Sequence, residues 1–230
     1  MQNWINFKKD GAKYSPTEEF GLSFIGDEHK KVLSVGISTA GFAEVRMALD
    51  NPQRKIVATT LDEKGIEFTR QLVKKYGLEN QIELKIEDIS ADLDYQDKSF
   101  DFVYARLVLH YLPKEKLTMA LRNIHKILKD DGKFFVVVRS YDWESEVAGA
   151  SYDSKTGLTS YPNFDNQNNI IKTSTRNLQT IGSITAYLQD AGFIINSIEL
   201  FSETIFGGYE RVNKKKNRLP ANLIAIYAEK

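Results

Sequence analysis

The stretch "VLSVGISTAG", residues 32–41, sets an apolar run against Gly36 and leads into a helical pattern. A strand, a tight turn and a helix in that order present backbone N–H groups to a ligand. Gly36 suits the turn because glycine tolerates positive φ and lets a ligand approach the backbone closely. Ser38 and Ala40 stand where further glycines would serve the same end, and Ser38 adds a hydroxyl donor to a narrower loop. His110, in "ARLVLHYL", has the chemistry of a general base that removes a proton from an acceptor. The alternative for it is a packed histidine. Arg106, just before it, can meet a ligand carboxylate or pair with a surface acid. Tyr141, Trp143, Tyr152 and Tyr161 are rigid amphipathic rings that can enclose an acceptor or pin their own segment to the domain. His29 and His125 lie in unrelated segments and there is no cysteine, so no metal site is expected.

The elements that must position these residues follow from hydrophobic period. "KVLSV" (31–35), "KIVATT" (55–60), "IELKIE" (82–87), "FDFVYAR" (100–106) and "KFFVVVR" (133–139) have the length of buried strands. Between them, "FAEVRMAL" reads as a helix. Asp62 caps a second helix that spaces Ile66, Thr69, Leu72, Val73 and Tyr76 along one face and stops at Gly77. After Pro113, a third carries Leu117, Leu121, Ile124 and Leu128, and Asp130-Asp131-Gly132 is expected to turn it into the fifth strand. Such alternation implies parallel strands with right-handed crossovers, and ligands beyond the carboxyl ends where strand order reverses. Residues 140–176 break the pattern with a long polar stretch, expected as a lid or binding loop. A helix ending at Gly192 and two β-like segments, "FIINSIELF" and "NLIAIYAE", close the chain, the last two pairing antiparallel.

The composition is that of a globular protein: 230 residues, 42% hydrophobic, 27% charged, with a formal net charge of +0. Zero net charge gives no field to draw in nucleic acid or an acidic membrane. The basic run "RVNKKKNR" (211–218) reads as a solvated strand connection. The longest apolar runs are of strand length, far short of a membrane span, and no signal-peptide core stands at the N-terminus. A cytoplasmic location is expected. One domain accounts for residues 1–230. Within it lie an aromatic cover (1–29, with Trp4, Phe7, Tyr14, Phe20 and Phe24), a cofactor-binding core (30–140), a lid or acceptor-side insertion (141–176), and a closing helix and strand pair (177–230).

The run "DKSFDFVYARLVLHYLPKEKLTMALRNIHKILKDDGKFFVVV" resembles the class I S-adenosylmethionine-dependent methyltransferases, through the fourth strand, its helix and the "LK-x-x-G" turn. The resemblance implies a doubly wound, Rossmann-like α/β fold, with a seven-stranded sheet mostly parallel and an antiparallel C-terminal strand. It also implies S-adenosylmethionine as cofactor. The family's acid-x-Gly-x-Gly-x-Gly turn is matched here by Ser34, Gly36, Ser38 and Ala40, and its ribose-holding acid by Thr60. Only Gly36 keeps the signature residue. Asp62 lies close enough to Thr60 to compensate, or serves only as a helix cap. Asp88, followed by Ile89, matches the acid beside the adenine, and His110 falls where the family lines its substrate pocket; Arg106, at the mouth of strand four, is counted with the cofactor-binding residues.

Methyl transfer to a small-molecule acceptor is the function this resemblance implies, with Tyr141, Trp143 and Tyr152 on the acceptor side. The competing reading is a binding or regulatory protein that keeps the fold and has lost cofactor affinity. A nicotinamide dehydrogenase would need Gly-x-Gly-x-x-Gly with a following acid, which this turn lacks. Nothing in the sequence speaks to oligomeric state or to the identity of the acceptor.

Overall fold

Apolar residues on both faces of the central strands force helices onto both sides of one sheet. The computed structural model describes residues 15–37, 41–141, 149–164, 167, 169–203 and 221–230. A short helix, α1 (Pro16–Leu22), precedes β1 (Lys31–Val35), α2 (Phe42–Asp50), β2 (Lys55–Thr60), α3 (Glu63–Tyr76) and β3 (Ile82–Ile86). Then come β4 (Phe100–Arg106), a 3-10 turn (Leu109–Tyr111), α4 (Lys114–Ile127) and β5 (Leu128–Arg139). The rest is β6 (Ser151–Asp153), β7 (Leu158–Phe164), β8 (Ile170–Arg176), α5 (Ile181–Asp190), β9 (Ile194–Phe201) and β10 (Leu223–Glu229). Ser38, Ala40, Trp143, the aromatics Trp4, Phe7 and Tyr14, and the basic run at 211–218 lie outside the described residues.

The sheet has seven strands in the order β3-β2-β1-β4-β5-β10-β9. β1 to β5 pair in parallel, and β10 runs antiparallel to both β5 and β9, as the resemblance implies. Strand order reverses between β1 and β4, so the carboxyl ends of these two neighbours form the ligand-binding edge. Ser34 of β1 lies in register with Tyr104 of β4. On one face, Leu33, Val103, Phe134 and Val136 pack against α4 and α5 through Leu117, Leu121, Ile184 and Leu188. On the other, Val32, Ile56, Phe102 and Phe135 meet Val45, Met47, Ile66 and Val73 from α2 and α3. α1 lies on this second face, where Phe24 stacks on Tyr227 with ring centroids 4.1 Å apart.

Local signals account for the boundaries. Asp62 accepts a hydrogen bond from the Lys64 N–H (3.0 Å), and Gly77, at φ +66, ends α3 in the left-handed conformation expected of a C-cap. Two differences from the sequence reading have physical causes. β5 starts at Leu128, directly after α4; the ladder with β4 then skips from Leu128 to Lys133, so the acidic turn at 129–132 is looped out. The segment expected as a long polar loop contains a three-stranded antiparallel sheet, β6-β7-β8. Its strands are short and polar because they lie outside the main core, so their sequence shows no apolar alternation.

Leu121 is wholly buried between α4 and the sheet. Leu121→Ala should lower unfolding free energy by about 2–5 kcal/mol. Urea titration would check it, and a loss under about 1 kcal/mol would show that α4 packs more loosely than the burial implies.

Candidate active site

The turn after β1 is built on close backbone contact. Gly36 has φ +78, and a Cβ there would lie 2.5 Å from the Cβ and Cγ2 of Val108, which follows β4. Glycine is therefore required both by conformation and by the approach of the two turns at the switch point. The N–H groups of Gly36 and Ile37 both donate to the Thr59 carbonyl, at 2.8 and 2.9 Å. These two groups join β1 to β2 and are not offered to a ligand; the rest of the turn, 38–40, lies outside the described residues. Gly41 is a residue that matching by position misses. It opens α2 at φ +55, and a Cβ there would meet Thr69 Cγ2 of α3 at 2.5 Å. The packing role of the signature's last glycine has moved on by one residue, and the Gly36-x-x-x-x-Gly41 spacing was the available signal.

Behind this turn lies a buried polar cluster. Ser34, where the resemblance places an acid, donates its hydroxyl to Glu44 Oε1 at 2.6 Å. Glu44, in the first turn of α2, is only 3% exposed, and its Oε2 has no partner among the described residues. The carboxylate absent from β1 is thus supplied by the helix. Burial raises the Glu44 pKa, although the Ser34 hydrogen bond opposes the shift. Across the strand pair, the Tyr104 hydroxyl is also buried without a partner among the described residues. Burial, together with Glu18, Glu44 and Glu203, pushes that phenol well above its ordinary value.

Arg106, expected at the cofactor, is held inside this cluster instead. Its Nε donates to Thr17 Oγ1 (2.8 Å), and its Nη2 donates to Ser15 Oγ (2.6 Å) and Glu203 Oε2 (3.0 Å). The Thr17 N–H donates to the other Glu203 oxygen. Arg106 therefore ties α1 to the segment after β9, and its acid is the buried Glu203 instead of the surface acid read from the sequence. Buried Glu18, Glu44 and Glu203 and the Arg106 guanidinium all act on the Tyr104 hydroxyl. No described group of three or more potential ligands is placed to hold a metal ion.

The ends of β2 and β3 lie side by side, with the Glu87 N–H donating to the Thr60 carbonyl at 3.2 Å. Thr60 is half-buried, and its hydroxyl oxygen accepts from the Asp62 N–H at 3.2 Å. Asp62 is the cap of α3, the second of its two sequence readings. Leu61 between them is 64% exposed, a large apolar surface at the strand mouth that the sequence reading passes over. Asp88 accepts from the Ser90 N–H (2.9 Å) and hydroxyl (2.6 Å) on one oxygen, and from Lys116 Nζ (3.2 Å) on the other. Burial opposes its ionisation, but these bonds outweigh it and the Asp88 pKa is lowered. Ile89 is buried in the core, and its side chain packs there instead of lining the cofactor edge.

His110 is 1% exposed, with both ring nitrogens unpartnered among the described residues. Burial, reinforced by the positive charges of Arg139 and Arg176, drives its pKa well below the ordinary value. The ring is neutral, and the same surroundings oppose protonation, a handicap for the general-base role read from the sequence. The inserted sheet covers it: the Asn177 N–H donates to the His110 carbonyl (2.7 Å), and the Lys114 N–H to that of Thr156 (2.9 Å). Tyr141 and Tyr152 are exposed, Tyr152 with Lys114 Nζ 5.9 Å from its ring centre, whereas Tyr161 is buried. The structure thus brings Gly36, Ser34, Glu44 and Tyr104 to one edge, Thr60, Asp62 and Asp88 beside it, and His110 with the inserted sheet beyond.

Residues 33–136 match the model of a methyltransferase domain. That match, with the solved structures that share the fold, supports a class I S-adenosylmethionine-dependent methyltransferase. A S-adenosylmethionine-dependent methyltransferase from Methanosarcina mazei has the same fold, at TM-score 0.70 and 17% identity, over 95% of this chain and 99% of that one. The CcbJ methyltransferase from Streptomyces caelestis aligns at TM-score 0.69 and 12% identity, over 96% and 91%. The [4+2]-cyclase SpnF aligns at TM-score 0.59 and 20% identity; 80% of this chain is covered, and it spans 58% of that protein. A comparison with curated proteins found no match. Among the described residues, the chain has no helix long and apolar enough to cross a membrane.

Because its folded pKa is raised, Glu44 contributes stability that is present below its unfolded pKa and lost as pH rises through the folded one. Glu44→Gln should therefore gain stability relative to wild type as pH rises from about 4.5, the ordinary glutamate value. Urea melts of the ligand-free protein at several pH values would check this. A difference that stays constant with pH would mean that Glu44 ionises normally.

Proposed function

We propose that this methyltransferase transfers a methyl group from S-adenosylmethionine to a small-molecule acceptor. The observation that carries the reading is the buried Glu44 carboxylate, held on one oxygen by Ser34 and unpartnered on the other, where strand order reverses. Burying a carboxylate without a compensating charge is costly, so the site favours a cationic ligand. S-adenosylmethionine carries an ammonium and a sulfonium. A nicotinamide dinucleotide would instead bring phosphates toward Glu18, Glu44 and Glu203.

The residues present fit this cofactor. Glu44, with the Tyr104 hydroxyl, would take its amino-acid end, and Gly36 and Ser38 the turn beneath it. Thr60, Leu61 and Asp88 would take the nucleoside; the Thr60 hydroxyl proton is free to donate because its oxygen is the acceptor for Asp62. When bound, the cofactor supplies a methyl group on positively charged sulfur, so the protein forms no covalent intermediate. The task left to the chain is to align the acceptor and exclude water. α1, fixed through Ser15 and Thr17, closes one side, and the inserted sheet with Tyr141, Trp143 and Tyr152 is proposed to close the other. A neutral His110 contributes one donor and one acceptor to that side.

S-adenosylhomocysteine at about 100 times its dissociation constant should stabilise the protein by about 2.7 kcal/mol, whereas NAD should leave the melting temperature unchanged. Calorimetric titration and thermal melts would decide it. No heat and no shift at millimolar S-adenosylhomocysteine would favour the binding or regulatory alternative. Thr60→Asp should tighten S-adenosylhomocysteine binding, since one carboxylate accepts from both ribose hydroxyls. Unchanged affinity with normal melting would remove Thr60 from the ribose.

A further inference from the structure

Positive charge gathers where the inserted sheet meets the main one. Arg176, at the end of β8, stacks its guanidinium 4.1 Å from the ring centre of Tyr111. Its Nη1 donates to the Thr175 carbonyl (2.7 Å) and its Nη2 to the Tyr111 hydroxyl (3.3 Å). Its Nε is buried with no partner among the described residues. These partners are all neutral. The His110 ring centre lies 4.5 Å from that of Tyr111, buried, with both ring nitrogens unpartnered among the described residues. The charge of Arg139, at the end of β5, also reaches His110. The nearest described acid of the insertion, Asp153, is engaged by the Lys155 N–H (2.9 Å) and the Thr156 hydroxyl (2.7 Å) of its own turn.

Building on the methyl-transfer reading, we propose that the acceptor carries a carboxylate, received by Arg176 and the N–H of His110 beside Arg139. A guanidinium offers a planar pair of N–H donors that fits a carboxylate, and that pairing is stronger than its present bonds to a carbonyl and a phenol. A neutral imidazole has one N–H to give, and here nothing else in the described structure takes it. The site lies beyond β4 and β5, away from Glu44, which is held at the end of β1. An anionic acceptor there is drawn away from Glu44 and toward the cationic donor that Glu44 favours. Tyr111, 54% exposed, marks the open end of this arrangement.

The test uses full-length protein saturated with S-adenosylhomocysteine. Saturation-transfer NMR would be run with acetate, hexanoate, benzoate and indole-3-acetate, each beside its primary amide. At least one carboxylate should bind while its amide does not. Arg176→Gln should weaken that carboxylate about tenfold or more while leaving S-adenosylhomocysteine affinity and melting unchanged. Arg176→Lys, which keeps the charge but loses the planar pair, should fall between, and it replaces Arg176→Gln if that variant does not fold. Equal binding of acids and amides, no binding of any acid, or indifference to both substitutions would overturn the proposal. If S-adenosylhomocysteine itself fails to bind wild type, the methyl-transfer reading falls and takes this one with it. If it binds and no acid does, only this one falls.

Discussion

The hydrogen bond from Ser34 to Glu44 holds a carboxylate below the surface at the mouth of β1, and the neighbouring structure is arranged around that charge. Burying one acid is costly, and here Glu18 and Glu203 are buried near it. Arg106 offsets part of the cost, but only because α1 brings Ser15 and Thr17 to satisfy its other donors. The ion pair of Arg106 and Glu203 is therefore better understood as a positional device than as a source of stability. It fixes α1 and the segment after β9 against the end of β4. The wall of the site and the charge within it depend on the same few bonds.

The sheet order converts this local arrangement into a gradient. β1 and β4 are adjacent, with β5 next, so charges at successive strand ends lie along one edge. Glu44 reaches the end of β1 from α2 and Glu203 reaches the end of β4 from the segment after β9, while the charges of Arg139 and Arg176 bear on His110. A formal net charge of +0 conceals the separation entirely. Local fields inside a low-dielectric edge matter more to a bound ligand than the total charge of the chain. Two reactants of opposite charge would each find a suitable place there, a few strand widths apart.

The central strands were legible in the sequence because both of their faces are buried and leave unbroken apolar runs, whereas the edge strands β3 and β9 are partly exposed and more polar. Asp62 and Gly77 were equally plain, since capping depends only on neighbours in sequence. The inserted sheet was not legible. Its strands pair through backbone and polar side chains, such as Ser160 with Thr175 at 3.0 Å, and leave no hydrophobic period. Gly36 could be read from type and position. Gly41, displaced by one residue, is signalled only by its spacing from Gly36, and Glu44 not at all, because its carboxylate is in place only once α2 folds back over β1. Arg106 shows the same limit: its position at a strand mouth was evident, but its partner, Glu203, is distant in sequence. Ile89 was assigned by its neighbour Asp88, yet its side chain turns inward.

The inserted sheet leaves and rejoins the domain at nearly one point. Ser140 bridges Gln179, the Tyr141 N–H donates to the Gln179 carbonyl (2.8 Å), and the Gln179 N–H donates to the Arg139 carbonyl (3.0 Å). A segment whose two ends are pinned together makes little further demand on the core, and the entropy of closing it grows only slowly with its length. The stretch between these pins is thus a cassette. It can be lengthened, shortened or exchanged over evolutionary time while the strands beneath keep their register, so one scaffold can be refitted for chemically different guests without being refolded.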